Sequence, residues 1–396
     1  MILLKKWVIK TGRLFGIFVV ICLLAAFSCR LSVYALGEDD ARVDFDYEAQ
    51  FNASGADKLI DELPEYAVEG LSEAGVHPGG VNSDGMSSLT QIDSAAVLNS
   101  FITIAGNEMG APLAALGVMT ALLLFASICK FGEQSLDSPL STTFGAVNSL
   151  TVGITLVTPM LSLIDSAAES VDIACRFTRS FGAVFLGILI ANGQTFSAAG
   201  YSTFLFGAID VSSVCVNEVI MPMLRIFLAL SCVSAVSDAV RLDAIMRFFD
   251  KYAKWLLGFL AVIVTTVLSI SGVLSASADS VSSRAAKFVI SGSVPVVGGA
   301  VSDAYLSIKS GMSMLRNSVG AFGIIGIAYV FIPVIIRTVM WNLVVGIGEA
   351  ICESLELDKV QRMIKSLSAM LSLLLGVLVF SMFLLTLSSI IVIMRQ

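Results

Sequence analysis

This chain of 396 residues is 56% hydrophobic and only 14% charged, with a mean hydropathy of +0.89. Ordinary soluble domains carry about 25% charged residues, so the composition excludes a water-soluble globular protein, and no basic stripe exists to collect the phosphates of a nucleic acid. The net charge of −7 is lopsided: Glu38 to Asp93 holds 14 acidic residues against two basic ones (Arg42 and Lys58), a balance of −12 that leaves the rest of the chain at +5.

The chain opens with Lys5, Lys6, Lys10 and Arg13, then the apolar stretch Leu14–Phe27, then Val33-Tyr34-Ala35. A charged start, an apolar middle and small residues before Ala35 are the three parts of a secretory signal sequence, read over residues 1–35. An uncleaved signal anchor is the alternative, and both put residue 38 onward on the far side of the membrane. Residues 36–105 then read as an acidic extracytoplasmic segment, partly disordered. Within it Ala56–Leu71 has the pattern of a short amphipathic helix, with Leu59, Leu63 and Tyr66–Ala67 opposite Asp57, Asp61, Glu62 and Glu65; Pro64 argues against an unbroken one. Glu73–Ser88, rich in Gly, Asn and Ser and holding the only histidine, His77, is a linker.

From residue 106 to 396 the sequence predicts an all-α, polytopic membrane domain. About seven apolar runs follow one another: Ala111–Cys129, Leu140–Ile164, Phe181–Ile209, Val214–Val236, Trp255–Ala278, Gly320–Gly346 and Leu367–Met394. A hydrocarbon core of roughly 30 Å takes about 20 helical residues, and lipid leaves a spanning backbone no partner but itself. Lys and Arg cluster at Arg241, Arg247, Lys251 and Lys254, and again at Lys359, Arg362 and Lys365, so both loops are expected in the cytoplasm. Counting each run as one crossing puts the first cluster outside. Phe181–Ile209, interrupted by Asn192-Gly193-Gln194 and by Gly200-Tyr201-Ser202, is therefore expected to be a broken or re-entrant hairpin.

Two stretches read as helices lying along the interface, near 238–254 and 303–319. In the first, Leu242, Ile245, Phe249 and Tyr252 share a side, with Asp243/Arg247 and Asp250/Lys254 as i,i+4 pairs opposite. In the second, Tyr305, Ile308, Met312, Leu315 and Val319 oppose Asp303, Lys309 and Arg316. Between them, 288–301 is apolar but too short to span. Gly292, Pro295, Gly298 and Gly299 break it, which suits a re-entrant or buried turn.

Ionisable and polar groups inside apolar runs are the candidate functional residues, since each charge costs about 3 kcal/mol at the bilayer centre. Glu218 and Arg225 lie two helical turns apart in one run, and Arg337 and Asn342 lie in another. Each serves either a polar conduit or pairing between helices. The glycines at 320, 323 and 326 permit close helix contact. Seven cysteines, none in the acidic segment and none in CxxC spacing, read as small buried hydrophobes. No HExxH, GxSxG or GxxxxGK[ST] occurs, and Asp165 and Asp210 at run ends carry no protease signature. The expectation is a non-enzyme with no catalytic residue, metal or cofactor.

The signal sequence, the acidic external segment, the spans and above all Ser277–Ser307 (SADSVSSRAAKFVISGSVPVVGGAVSDAYLS) resemble the stage III sporulation protein AE family of endospore-forming bacteria. Ser291–Asp303 is the most specific part. The resemblance implies a multi-pass protein of the mother-cell membrane around the forespore, a core subunit of a secretion-like channel complex. Its implied partners are other membrane subunits, a cytoplasmic ATPase on another chain, ring-forming proteins of the intermembrane space, and lipid. A stand-alone secondary transporter of a small solute and a non-conducting scaffold are the alternatives.

Overall fold

The computed structural model of the protein describes residues 47–73, 76, 94–133, 140–191, 193–236, 247–249, 251–260, 262–263, 266 and 298–393. The predicted signal sequence lies outside them, as do residues 238–246 and 288–297, with Gly292 and Pro295. Among the described residues there is no strand.

The acidic segment folds as α1 (Tyr47–Ser54), a 3-10 turn (Ala56–Glu62) and α2 (Glu65–Glu73). Pro64 divides the predicted amphipathic helix in two. It has no N–H to continue the first turn, while its carbonyl accepts from the Ala67 and Val68 amides that open α2. Leu59, Leu63, Ala67 and Leu71 are buried and the acidic side faces out, as the pattern predicts, whereas Tyr66, expected on the apolar side, is 40% exposed.

The membrane domain is built from α3 (Ser94–Glu133), α4 (Leu140–Ala191), α5 (Thr195–Ser213), a π-helical turn (Val214–Ile220), α6 (Met221–Val236), α7 (Gly298–Ser354) and α8 (Asp358–Ile393). It is an all-α membrane protein, with five helical stretches among the described residues long and apolar enough to cross a bilayer. Several predicted runs merge: Leu140–Ile164 and the start of Phe181–Ile209 are one helix of 52 residues, because the charged stretch 165–180 between them is helical too. At 1.5 Å per residue α4 is about 78 Å long and the 57-residue α7 about 85 Å. Both far exceed a bilayer of about 40–45 Å including headgroups.

Phe181–Ile209 breaks at the first expected place and not the second. The Gly193 amide bonds to the Ile190 carbonyl and the Gln194 amide to the Leu189 carbonyl, while Gly193 takes φ 78°, a left-handed conformation natural to glycine. The chain reverses there and α5 returns along α4. Gly200–Ser202 stays helical, with Tyr201 buried. The reversal turns α5 and α6 back toward the end of the bundle that holds the α7–α8 turn, and α6 stops 11 residues, about 17 Å, past Arg225. Arg247, Lys251 and Lys254 of the first basic cluster flank Phe249, which packs on Phe227, and Leu260 beyond them meets Ala208 and Leu384.

The core sits around α7, which packs against α3, α4 and α8 and meets α2. Gly323 and Gly326 let α4 approach closely: a Cβ at Gly323 would lie 2.4 Å from the ring of Phe181. The predicted interfacial stretch 303–319 runs without a break into the rest of α7, and Gly298 and Gly299 are its first residues. Met312, Leu315 and Val319 are buried as expected, but so is Arg316. The described side chains from Gly311 to Val319 present no exposed side to give it.

Substituting Gly323→Val should cost about 1–3 kcal/mol by overpacking against Phe181. Gly187→Ala, where nothing lies within 4 Å, should cost nothing. Thermal unfolding in detergent separates them, and equal midpoints would contradict the close α4–α7 contact.

Candidate functional site

Contacts along the long helices fix a common height scale. Glu108 of α3 meets Arg337 of α7, Arg337 meets Ser166 of α4, and Asp165 of α4 meets Arg225 of α6. Those five residues form one polar tier across the bundle, halfway along α4. Arg337 makes a forked pair with Glu108: Nη2 donates to Oε1 at 2.8 Å and Nε to Oε2 at 2.5 Å. The Glu108 side chain is 19% exposed and that of Arg337 38%, so the pair is substantially withdrawn from solvent.

Arg225 and Glu218, predicted on one helix face, do not pair with each other. The π-helical turn lies between α5 and α6, and its Met221 amide reaches back to the Val216 carbonyl. Pro222 follows, and its missing N–H removes the next helical bond, a reason for the local widening. Arg225 turns to Asp165 at 2.7 Å, whereas Glu218 is exposed with no ion-pair partner among the described residues. The side-chain carbonyl of Asn217 in the same turn is enclosed without a hydrogen bond. Higher on the seam between α4 and α5, Arg179 pairs with Asp210, and Arg176 with Asp172 one turn away.

Asn342 is buried and joins α7 to α8. Its Nδ2 donates to the Ser372 hydroxyl at 3.4 Å, and the Ser368 hydroxyl reaches its Oδ1 at 3.5 Å. The four candidates therefore separate: Arg337 and Asn342 knit helices together inside, while Glu218 and Arg225 lie on an outer seam. Glu108, Asp165, Asp210 and Arg179 complete the pattern. The sequence marked Asp165 and Asp210 only as run-end charges, and Glu108 sits just ahead of its run. What signalled them was opposite charge at the edge of a neighbouring run.

The acidic segment closes over the tier. The Tyr66 hydroxyl donates to the Val330 carbonyl at 3.3 Å, Ser180 donates to Glu62, and Leu63 reaches Gly326. Burial pushes the Tyr66 phenol up to about 12, with the Glu169 carboxylate adding to the shift, so it stays a donor at physiological pH. The Tyr329 and Ser100 hydroxyls share a 2.7 Å bond below it, and Gly70 rests on the Tyr329 ring. Among the described residues no three His, Cys, Asp or Glu side chains gather as metal ligands. The five described cysteines are unpaired thiols, and a largely apolar groove of about 250 Å³ beside Gly153, Ile154 and Cys232 has Ser149 and Thr158 in its lining. The charges of the tier are paired across helices, Arg337 with Glu108 and Arg225 with Asp165.

Glu108→Gln and Arg337→Met should each destabilise the protein, with a coupling of about 1–3 kcal/mol in a double-mutant cycle. The exposed Asp165–Arg225 pair should couple by less than about 1 kcal/mol. Comparable couplings would contradict the difference in burial.

A profile of the family described as stage III sporulation protein AE matches residues 83–395. The protein of that name from Bacillus subtilis (strain 168) is 23% identical over 212 residues, which cover 53% of each chain. The match thus spans about half the length of this curated relative, and no solved structure matches. The family profile takes in α3 to α8, the helices that build the tier and its pairs, and this chain belongs to the stage III sporulation protein AE family.

Proposed function

We propose that the chain is a core integral-membrane subunit of a secretion-like channel complex between mother cell and forespore, needed for late forespore gene expression and forespore integrity. It is a multi-pass, non-catalytic subunit of the mother-cell membrane around the forespore. The sporulation role rests on the family. The observation that carries the rest is the separation of charge along the bundle. The acidic segment 47–73 packs beside Gly326, Val330 and Ser180, above the tier. At the opposite end Lys130 bonds to Glu356 in the α7–α8 turn, with Lys359 and Arg362 just beyond.

The positive-inside bias assigns the basic end to the cytoplasm and the acidic segment to the outside. Folded surfaces at both ends suit a subunit that contacts both compartments. The basic end offers a site for a cytoplasmic ATPase supplied by another chain, and the acidic end one for ring-forming proteins of the intermembrane space. The apolar flanks are left for lipid and other membrane subunits.

Mild-detergent purification of the tagged chain from sporulating cells should bring down an ATPase and small membrane proteins. A chain that comes down alone, and that moves a small solute by itself in liposomes, would contradict this reading and favour a stand-alone transporter.

A further inference from the structure

We infer that the bilayer covers only the half of the bundle between the polar tier and the basic end, and that the other half stands outside it as a folded, water-exposed head. Hydropathy alone gives the opposite impression, because Ser149–Ala191 reads as one membrane-spanning stretch. Three observations divide that helix at Asp165.

The first is the character of the outer surface. Below the tier it is greasy: Leu113, Leu124 and Phe125 of α3, Leu150 and Ile154 of α4 and Ile226 of α6 are all exposed. On α3 no charge occurs from Met109 to Cys129, about 31 Å of helix, and on α4 none from Leu140 to Ile164, about 37 Å. Both lengths fit a hydrocarbon core of roughly 30 Å. Above the tier the exposed surface is mixed: α4 and α5 show Asp172, Arg176, Arg179 and Asp210, with side chains 53–61% accessible, and the small residues Ala183, Gly187, Thr203 and Gly207. Ile190, Val211, Val214 and Val219 are exposed among them.

The second is what packs there. Glu62 reaches Ser180, fifteen residues and so about 22 Å above Asp165. The exposed carboxylates of Asp57, Asp61 and Glu65 belong to the same folded piece, and a segment so acidic lies in water. Whatever surrounds α4 at Ser180 surrounds that segment too.

The third is where much of the apolar content of α4 and α8 in the upper half goes. Phe181, Phe185, Ile188 and Leu189 of α4 and Met382, Leu384 and Leu385 of α8 are buried against one another and their neighbours. Their hydropathy is that of a protein core. From Asp165 to Ala191 the head is about 39 Å tall.

The inference does not use the channel reading, and its failure would leave that reading standing, since copurification tests the latter. It is tested by single cysteines in a background with the native cysteines replaced by Ser or Ala, in native membranes, with a membrane-impermeant thiol reagent on the extracytoplasmic side. Ile102, Asp172 and Glu218 lie at one height, fixed by the Ser100–Tyr329, Arg179–Asp210 and Asp165–Arg225 contacts, but on different sides of the bundle. Ile102→Cys, Glu218→Cys and Phe259→Cys, the last on an exposed aromatic stripe beside Ala208 and Leu384, should all react at least about tenfold faster than Ile154→Cys, because alkylation needs a hydrated thiolate. Ile102→Cys and Phe259→Cys as slow as Ile154→Cys would mean that lipid reaches the upper half, and would overturn the inference whether or not Glu218→Cys reacts. Should the cysteine-free background not fold, neutron reflectivity of the unmodified chain in a supported bilayer gives a second reading. Protein density reaching about 40 Å past one leaflet is expected, and density flush with both leaflets overturns the head.

Discussion

The backbone of this protein has no water to bond to over much of its length, and the architecture follows from that. In hydrocarbon each N–H and C=O must find a partner within its own segment, which leaves helices as the available form for such a chain. The same medium penalises isolated charge, so the ionisable groups either pair or turn to water. Arg337 with Glu108 takes the first course, the neutral amide of Asn342 likewise finds the Ser372 hydroxyl, and Arg179 and Asp210 pair on a seam that faces out. Once helices are obligatory, what remains to specify is how closely they approach and where they turn. Gly323 and Gly326 set the first by admitting Phe181 and Phe177 against α7. Gly193 sets the second for α4 and α5, and the α7–α8 turn repeats the same pair of backbone bonds at Glu356 and Leu357.

Much of the fold could be read from the residues. Long uncharged runs were enough for an all-α membrane protein, and the interruption at Gly193-Gln194 marked the reversal between α4 and α5. What the residues hid was continuity. The stretch 165–180 looks like a break between spans because Asp165, Glu169, Asp172, Arg176 and Arg179 interrupt the hydropathy. Yet those charges line one side of a helix whose other side, with Val171, Ala174 and Phe177, is buried. In the same way 303–319 has the periodicity of an interfacial helix, while being part of one continuous helix whose described side chains from Gly311 to Val319 are largely buried.

The candidate site was legible in its parts and not in its partners. Glu218, Arg225, Arg337 and Asn342 stand out because they are polar within apolar runs. Which side chain meets which depends on the register between helices far apart in sequence, such as the 229 residues separating Glu108 from Arg337. The π-helical turn at Val214–Ile220 shifts Glu218 relative to Arg225, and no spacing rule anticipates it. The outcome differs from a single conduit lined by four polar groups. Two of them hold the bundle together, and two belong to a charged outer face that an assembly partner or water can reach.

The proposal that all of this depends on is that hydrocarbon solvates the lower flank of α3, α4 and α6, where Phe125, Ile128 and Ile154 are exposed. Alkaline carbonate extraction of membranes from expressing cells tests it most directly. The account predicts that the chain stays in the membrane pellet and becomes monodisperse only in detergent or lipid. A chain released into the supernatant, monodisperse in plain buffer, would contradict it.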